Sequence, residues 1–313
     1  MSEQGSAAQG GPARERTERD GAVEERDGAT GTITAVIDGS IYSESVCDHA
    51  AWIAGRTGSR VDVVHVIGRR EGLREQSNLS GNIGLGARTA LLSELAELDA
   101  QRARLGQKRG RAILSDAERR LADAGVEHIR TRLRHGEITE TVQALESESD
   151  LLVMGKRGEA ADFDTMHLGS NLERVIRSTR KPVLVSARAF HEVSRFLVAF
   201  DGGSSALKAI DFIAARPHYA DLECHLVSVG EDEAGRRRPL EGAAATLREA
   251  GYRVETEICP GQPETAIARA VEERGIDLLV IGAYGHSRIR NLIIGSTTSA
   301  LLSSCKVPVL LFR

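Results

Sequence analysis

Four residues near the end of the chain have the types and spacing to hold an anion. Gly282 and Gly285 stand three apart, and Gly295 follows after nine intervening residues with Ser296 directly behind it. A glycine lets backbone come close to a ligand without a Cβ in the way. Ser296, with Thr297 and Thr298, precedes the apolar residues Ala300, Leu301 and Leu302, so a hydroxyl here is expected to cap a helix. The start of a helix offers unpaired N–H groups and the positive end of a dipole, which suits a phosphate. His286, Arg288 and Arg290 lie between the glycines as further candidates for phosphate contact. The plainer alternative is a strand-to-helix loop that binds nothing, because two glycines recur easily by chance.

The elements that must position these residues follow from the pattern around them. The run Leu278 to Ile281 is short, branched and unbroken, as in a strand buried on both faces. The second half predicts strands at 196–200, 223–229, 253–258, 278–281 and 307–312, with helices starting near Ser204, Glu233, Pro263 and Ser296. Pro263 suits a first helical turn, and Gly251 and Gly275 suit helix ends. Such alternation gives a parallel sheet covered by helices, with ligands bound beyond the carboxyl ends of its strands. Asp201, Val229 and the Gly282 loop all fall at such ends.

An altered copy sits upstream. Asp150, Gly155 and Gly158 precede Asp277, Gly282 and Gly285 by 127 residues each, while Asp38 precedes Asp201 and Val66 precedes Val229 by 163. The 36-residue difference is an insertion between the second and third strands of the first half, and a repeat of this length means duplicated domains rather than one large sheet. The expected organisation is a disordered tail at 1–30, a first domain at 31–190 with its insertion at about 68–115, and a second domain at 194–313. Within the insertion, Leu91, Leu92, Leu95, Leu98 and Leu105 have near-helical spacing, and Gly106 and Gly110 are expected to interrupt it. A longer surface helix packed on its own sheet is preferred over a helical hairpin or a lid.

Composition narrows the function classes. The tail carries four arginines and seven acidic residues, so it holds −3 of the net charge of −4 and leaves the folded body nearly neutral. That argues against a large nucleic-acid surface. No apolar run approaches the ~20 residues a membrane span needs, and the tail has no signal-peptide core, so a cytoplasmic protein is expected. Cys47, Cys224, Cys259 and Cys305 are scattered without metal-ligand spacing, which predicts buried reduced thiols.

With these residues in place, the chain resembles the universal stress protein family in its tandem two-domain form, from about Thr32 to Arg313. The motif G-x2-G-x9-G-[ST] is met by Gly282, Gly285, Gly295 and Ser296. The resemblance implies an α/β fold of two tandem five-stranded parallel-sheet domains, Rossmann-like and related to the adenine-nucleotide α-hydrolase group, arranged as a pseudo-dimer. It also implies ATP, with or without Mg2+, as ligand. Asp201 would bond ribose or adenine, although an Asx turn explains the same residue. Val229 and Ile281 would wall the adenine slot, Gly282 would admit the ribose, and Gly285 and Gly295 the phosphates. Ser296 and Thr297 would donate to phosphate, with Thr298 as a lesser candidate.

The first half departs from the pattern. Gly158 and Gly169 are separated by ten residues, Asn171 follows Ser170, and Glu159, Asp162 and Asp164 make the loop acidic beside Lys156 and Arg157. Asp38, Val66, Met154, Gly155, Gly158, Gly169 and Ser170 form a second candidate site, set against a degenerate domain kept for pairing or regulation. The family resemblance further implies that 183–185 and 309–312 join the halves of one chain, with homodimerisation of whole chains left open. The expected role is an ATP-binding regulator of the stress response with an unidentified protein partner. The rivals are a member acting by protein contacts alone and a weak ATPase. A dedicated enzyme is disfavoured, since there is no G-x4-G-K-[ST] sequence and His286 is the sole nearby base.

Overall fold

The computed structural model describes residues 29–68, 85–158, 168–283 and 295–313. Most of the segment read as a tail, the Gly- and Ser-rich start of the insertion, the acidic residues Glu159, Asp162 and Asp164, and Gly285, His286, Arg288 and Arg290 lie outside the described residues.

The first half runs β1 (Thr32–Ile37), α1 (Tyr42–Thr57), β2 (Arg60–Ile67), α2 (Leu85–Asp123), β3 (Ile129–His135), α3 (Ile138–Leu145), β4 (Leu151–Gly155), α4 (Ser170–Ser178) and β5 (Val183–Ser186). The second repeats the order without the long helix: β6 (Arg195–Ala199), α5 (Ser204–Ala214), a 3-10 turn (Pro217–Tyr219), β7 (Glu223–Val229), α6 (Ala234–Glu249), β8 (Arg253–Cys259), α7 (Pro263–Glu273), β9 (Leu278–Gly282), α8 (Ser296–Ser304) and β10 (Val309–Phe312). The last strand begins two residues later than the apolar run suggests. Pro308 has no N–H to give, although its carbonyl still accepts from Leu279 N at 3.0 Å.

All ten strands form one sheet in the order β3-β2-β1-β4-β5-β10-β9-β6-β7-β8. Within each half every pairing is parallel. The halves are joined by the antiparallel pair β5–β10, with Val185 opposite Val309, Leu184 opposite Leu310 and Val183 opposite Leu311. The duplicated units are therefore not separate sheets, because the last strand of each closes the open edge of the other.

The alternation of side chains along each strand gives the sheet two apolar faces. Ile33, Ala35, Val153, Leu184, Val198 and Leu310 join α1, α2, α5 and α6 in one core. Val36, Leu152, Met154, Leu197, Leu279 and Leu311 join α3, α4, α7 and α8 in the other. Each core crosses the seam, so each half stabilises its neighbour by shared burial.

The insertion corrects the sequence reading. Gly106 and Gly110 do not interrupt it, and α2 is one helix of 39 residues. A Cβ on Gly110 would lie 2.7 Å from Leu133 Cδ1 and 3.0 Å from His65 Cδ2, so the glycine marks where α2 crosses the sheet. From there on Leu114, Ala117 and Leu121 are buried, whereas Ser93 to Leu105 are exposed throughout, with Leu105 at 67%. Only the second part of the helix packs on its own sheet. A helix continues through two glycines when the cost of about 1 kcal/mol each is offset by packing nearby.

Candidate functional site

The first-half candidates converge at the carboxyl ends of β1, β2 and β4. Asp38 follows β1 and opens a turn: Ser40 N donates to its Oδ1 at 3.0 Å, Gly39 has φ of 80°, and Gly39 N donates to Ser43 Oγ at 3.0 Å. Val66 lies near the end of β2, and Met154 and Gly155 end β4. The loop after Gly155 returns to the start of α4, where Gly169 N donates to the Lys156 carbonyl at 3.2 Å. All seven candidates, Asp38, Val66, Met154, Gly155, Gly158, Gly169 and Ser170, line one cleft of about 890 Å3. That volume is of the size small-molecule sites have, and the carboxyl edge is where such sheets bind ligands.

Several wall residues escaped the sequence reading. His65 is buried and its Nδ1 lies 2.9 Å from the Ile37 carbonyl, which fixes the ring between β1 and β2. Glu137, at the start of α3, accepts from Arg174 Nη2 on α4 at 2.8 Å and so ties two helices across the cleft. Arg157 also lines it. Arg157, and Arg174 paired with Glu137, stand beside the amino end of α4, whose dipole favours an anion. The signal available in the sequence for Arg174 was its place one turn into the helix that follows Gly169.

The glycines divide into two kinds. A Cβ on Gly155 would fall 2.7 Å from Tyr42 Cβ, and one on Gly158 2.7 Å from Asp38 Oδ2. A Cβ on Gly282 would fall 2.9 Å from Ser205 Cβ and 3.3 Å from Ala206 N. The packing of α1 and of α5 requires Gly155 and Gly282 whether or not a ligand is present, while Gly158 meets the carboxylate end of the Asp38 side chain. Gly169 and Gly295 differ, because the nearest neighbour would be Arg157 Cα at 3.4 Å for the first and Thr298 Oγ1 at 3.7 Å for the second, ordinary contact distances. Among the described residues nothing in the protein itself demands a glycine at either position.

The second half places its candidates in matching positions. Asp201 follows β6, and Gly203 N donates to its Oδ1 at 2.8 Å, while Gly202 takes φ of 77°. Val229 ends β7 half-buried, and Ile281, buried, and Gly282 end β9. Gly295 N donates to the Ala283 carbonyl at 3.4 Å, which brings the start of α8 against the end of β9. The expected hydroxyl cap is not formed. Gly295 itself is the N-cap and Ser296 is the first helical residue, so the capping position supplies no side-chain acceptor to the first N–H groups. The same holds at α4, whose N-cap is Gly169. Thr298 is buried and its Oγ1 donates toward the Gly282 carbonyl at 3.3 Å, so this hydroxyl holds β9 to α8. Ser296 is exposed and Thr297 half-buried. Arg236 of α6 was also missed: its Nη2 lies 2.5 Å from where a Cβ on Gly230 would stand, one residue beyond Val229.

One bond couples the two candidate regions. Lys156, between Gly155 and Gly158, donates from Nζ to the Cys305 carbonyl at 2.8 Å, and Cys305 caps the far end of α8. Burial lowers the pKa of this ammonium.

Comparisons with known proteins agree with this architecture. The family model described as "Universal stress protein family" matches residues 30–187 and again 192–313. Universal stress protein Slr1230 of Synechocystis sp. is 39% identical over 279 residues, covering 88% of this chain and 97% of its own. Among solved structures, a universal stress protein from Archaeoglobus fulgidus DSM 4304 superposes with a TM-score of 0.68 at 18% identity, covering 91% of this chain and 97% of its own. A Pseudomonas aeruginosa PAO1 protein described as functionally unknown reaches 0.59 at 17%, covering 90% and 92%. At these identities the two structures bear on the fold alone.

Proposed function

The chain belongs to the universal stress protein family, and from that premise we propose that it is an ATP-binding regulatory module of the stress response. The second domain is the principal nucleotide site and the first domain a further one. The observation that carries the reading is the carboxyl-edge cleft of about 890 Å3, in which all seven residues chosen from the altered motif come together. In that cleft Val66 and Met154 would wall the base, Asp38 would accept from ribose hydroxyls, and the amino end of α4 with Arg157 and Arg174 would face the phosphates. In the second half Val229 and Ile281, Asp201, and the start of α8 with Ser296 and Thr297 would take the same parts, with ATP carrying Mg2+ or not. Bound ATP would supply negative charge at these helix starts, and the chain's own residues orient it. Four buried thiols without disulfides support a reducing, cytoplasmic setting, and no helix among the described residues is long and apolar enough to cross a membrane.

A second reading, a member that acts through protein contacts alone, draws on Gly155 and Gly282, which packing explains without a nucleotide. Calorimetric titration of the full chain with ATP separates the two. The proposal expects saturable heat, lost in the second domain in Val229→Trp and in the first in Val66→Trp, since each half-buried position would fill its slot. No heat with ATP, together with no nucleotide released on denaturation, would leave the contact-only reading.

A further inference from the structure

The halves also meet around a cavity that the nucleotide reading does not use. It lies at the opposite edge of the sheet, at the amino-terminal ends of β1, β4, β6 and β9, and has a volume of about 390 Å3. Strands of this length separate the two edges by roughly 15–20 Å. One wall comes from α1 of the first half and the other from α5 and the 3-10 turn of the second, so neither half contains the cavity alone.

Its lining is aromatic and apolar, with Trp52, Phe196, Phe212, Tyr219, Ile213 and Leu310. Trp52 and Tyr219 face each other across the domain boundary with ring centroids 5.6 Å apart. The two are braced at the rim, where Arg56 of α1 donates twice to Asp221, at 2.7 and 3.1 Å. One cation and one carboxylate also line the space. Arg216 stacks on Phe212 with Cζ 3.4 Å from the ring centroid, and Asp150 accepts from Thr32 N at 2.9 Å. With one charge of each sign, the walls favour a neutral occupant.

Two lining residues carry buried polar atoms that find no partner. His49 Nδ1 lies 2.6 Å from the Ser45 carbonyl, so Nδ1 carries the proton and donates to it, which leaves Nε2 as an acceptor. Burial lowers this histidine's pKa and keeps the ring neutral. His49 Nε2 and the Trp52 indole N–H are both buried and unpartnered. They stand three residues apart on α1, on neighbouring positions of one face. Interiors are close-packed and buried polar atoms are nearly always bonded, so an open aromatic cavity whose lining residues His49 and Trp52 hold one spare acceptor and one spare donor beneath its wall is a site rather than a packing residue.

We propose that this interdomain cavity binds a small, uncharged, planar aromatic molecule bearing a hydroxyl or ring N–H. Aromatic walls from both halves would hold its faces, and its polar group would meet His49 Nε2 or the Trp52 N–H.

The chain has one tryptophan, so its indole N–H gives one resonance that reports from the cavity wall. Titrating the 15N-labelled full chain with 2-naphthol should shift that resonance saturably, with a calorimetric Kd on the order of 100 μM for a ligand of this size. Ala215 is exposed and lines the cavity, so Ala215→Phe should weaken binding about tenfold or more and Ala215→Leu less, with ATP titration unchanged in both. Saturating ATP should leave the 2-naphthol affinity unaltered. No saturable shift up to the solubility limit, unchanged affinity in Ala215→Phe, or displacement by ATP would each overturn the proposal. Because the site is separate from the glycine motifs, loss of ATP binding would leave it standing.

Discussion

The first half departs from the glycine spacing and still assembles its candidates around a well-formed cleft, whereas the second half keeps the spacing, and in both the glycine before the last helix, Gly169 or Gly295, is one that packing among the described residues leaves unexplained. The difference teaches that motif spacing and site geometry are separate properties. In the first half Gly155 and Gly158 are held by Tyr42 and Asp38, and in the second Gly282 is held by Ser205. Conformity to a pattern at these positions reports the joining of a strand to a helix. It says less about the ligand.

The halves differ most in how they bury charge, and there the largest effect is expected. In the first, Arg132 lies at 7% side-chain exposure with Asp62 at 2.7 Å and Glu148 at 2.6 Å. The nearest counterpart in the second is His225 with the exposed Glu255 at 3.5 Å. Arg132→Ala strands a buried carboxylate and should cost about 3 kcal/mol in urea unfolding, although Arg60 still pairs with Asp62. Glu255→Gln should change stability by less than about 0.5 kcal/mol. Equal losses would break the contrast.

Next come the crowded glycines. Gly155→Val and Gly282→Val should each destabilise by about 1–3 kcal/mol, because the new side chain meets Tyr42 or Ser205. The loss should be the same with and without ATP. A Gly282→Val chain of normal stability that no longer binds ATP would return that glycine to the ligand.

The buried thiols should respond alike in both halves. Burial pushes Cys47 and Cys224 from 9.0 up to about 12. Between those values the unfolded chain has lost the proton that the folded one keeps, so stability is full below pH 9 and falls as pH rises toward 12. Cys47→Ala and Cys224→Ala should each flatten that fall by up to about 1.4 kcal/mol per pH unit. Unequal slopes, measured by denaturation across this range, would show that the halves do not bury their thiols equally.

The smallest stability effect belongs to Gly295→Ala, expected within about 0.5 kcal/mol because the methyl has room among the described residues. Its effect on ATP affinity should be the larger one, about tenfold weaker if phosphate approaches the start of α8. Unchanged affinity would place the nucleotide away from Gly295.

Much of this was legible in the residues. The runs at 223–229 and 278–281, the proline at 263 and the glycines at 251 and 275 mark strands and helix ends that the structure keeps, since each signal is local. The length of α2 was not legible. Gly106 and Gly110 look like breaks, and only the structure shows His65 and Leu133 filling the place of a Cβ at Gly110. Thr298 is a lesser candidate for ligand contact by its motif position, and its hydroxyl bonds the end of β9, a contact across 16 residues that spacing does not reveal.

By itself the sequence determined the order of elements, the duplication and the segments at which a ligand-binding edge must form, because periodicity and turn chemistry act over a few residues. The joining of the halves through 183–185 and 309–312, which the family resemblance implies, is met by the β5–β10 pair, while only the tertiary structure decided which glycines are crowded and that an aromatic cavity lies between the halves. Those features depend on contacts between residues far apart in the chain, such as Trp52 with Tyr219 and Gly282 with Ser205. They exist only once both cores have closed on one sheet.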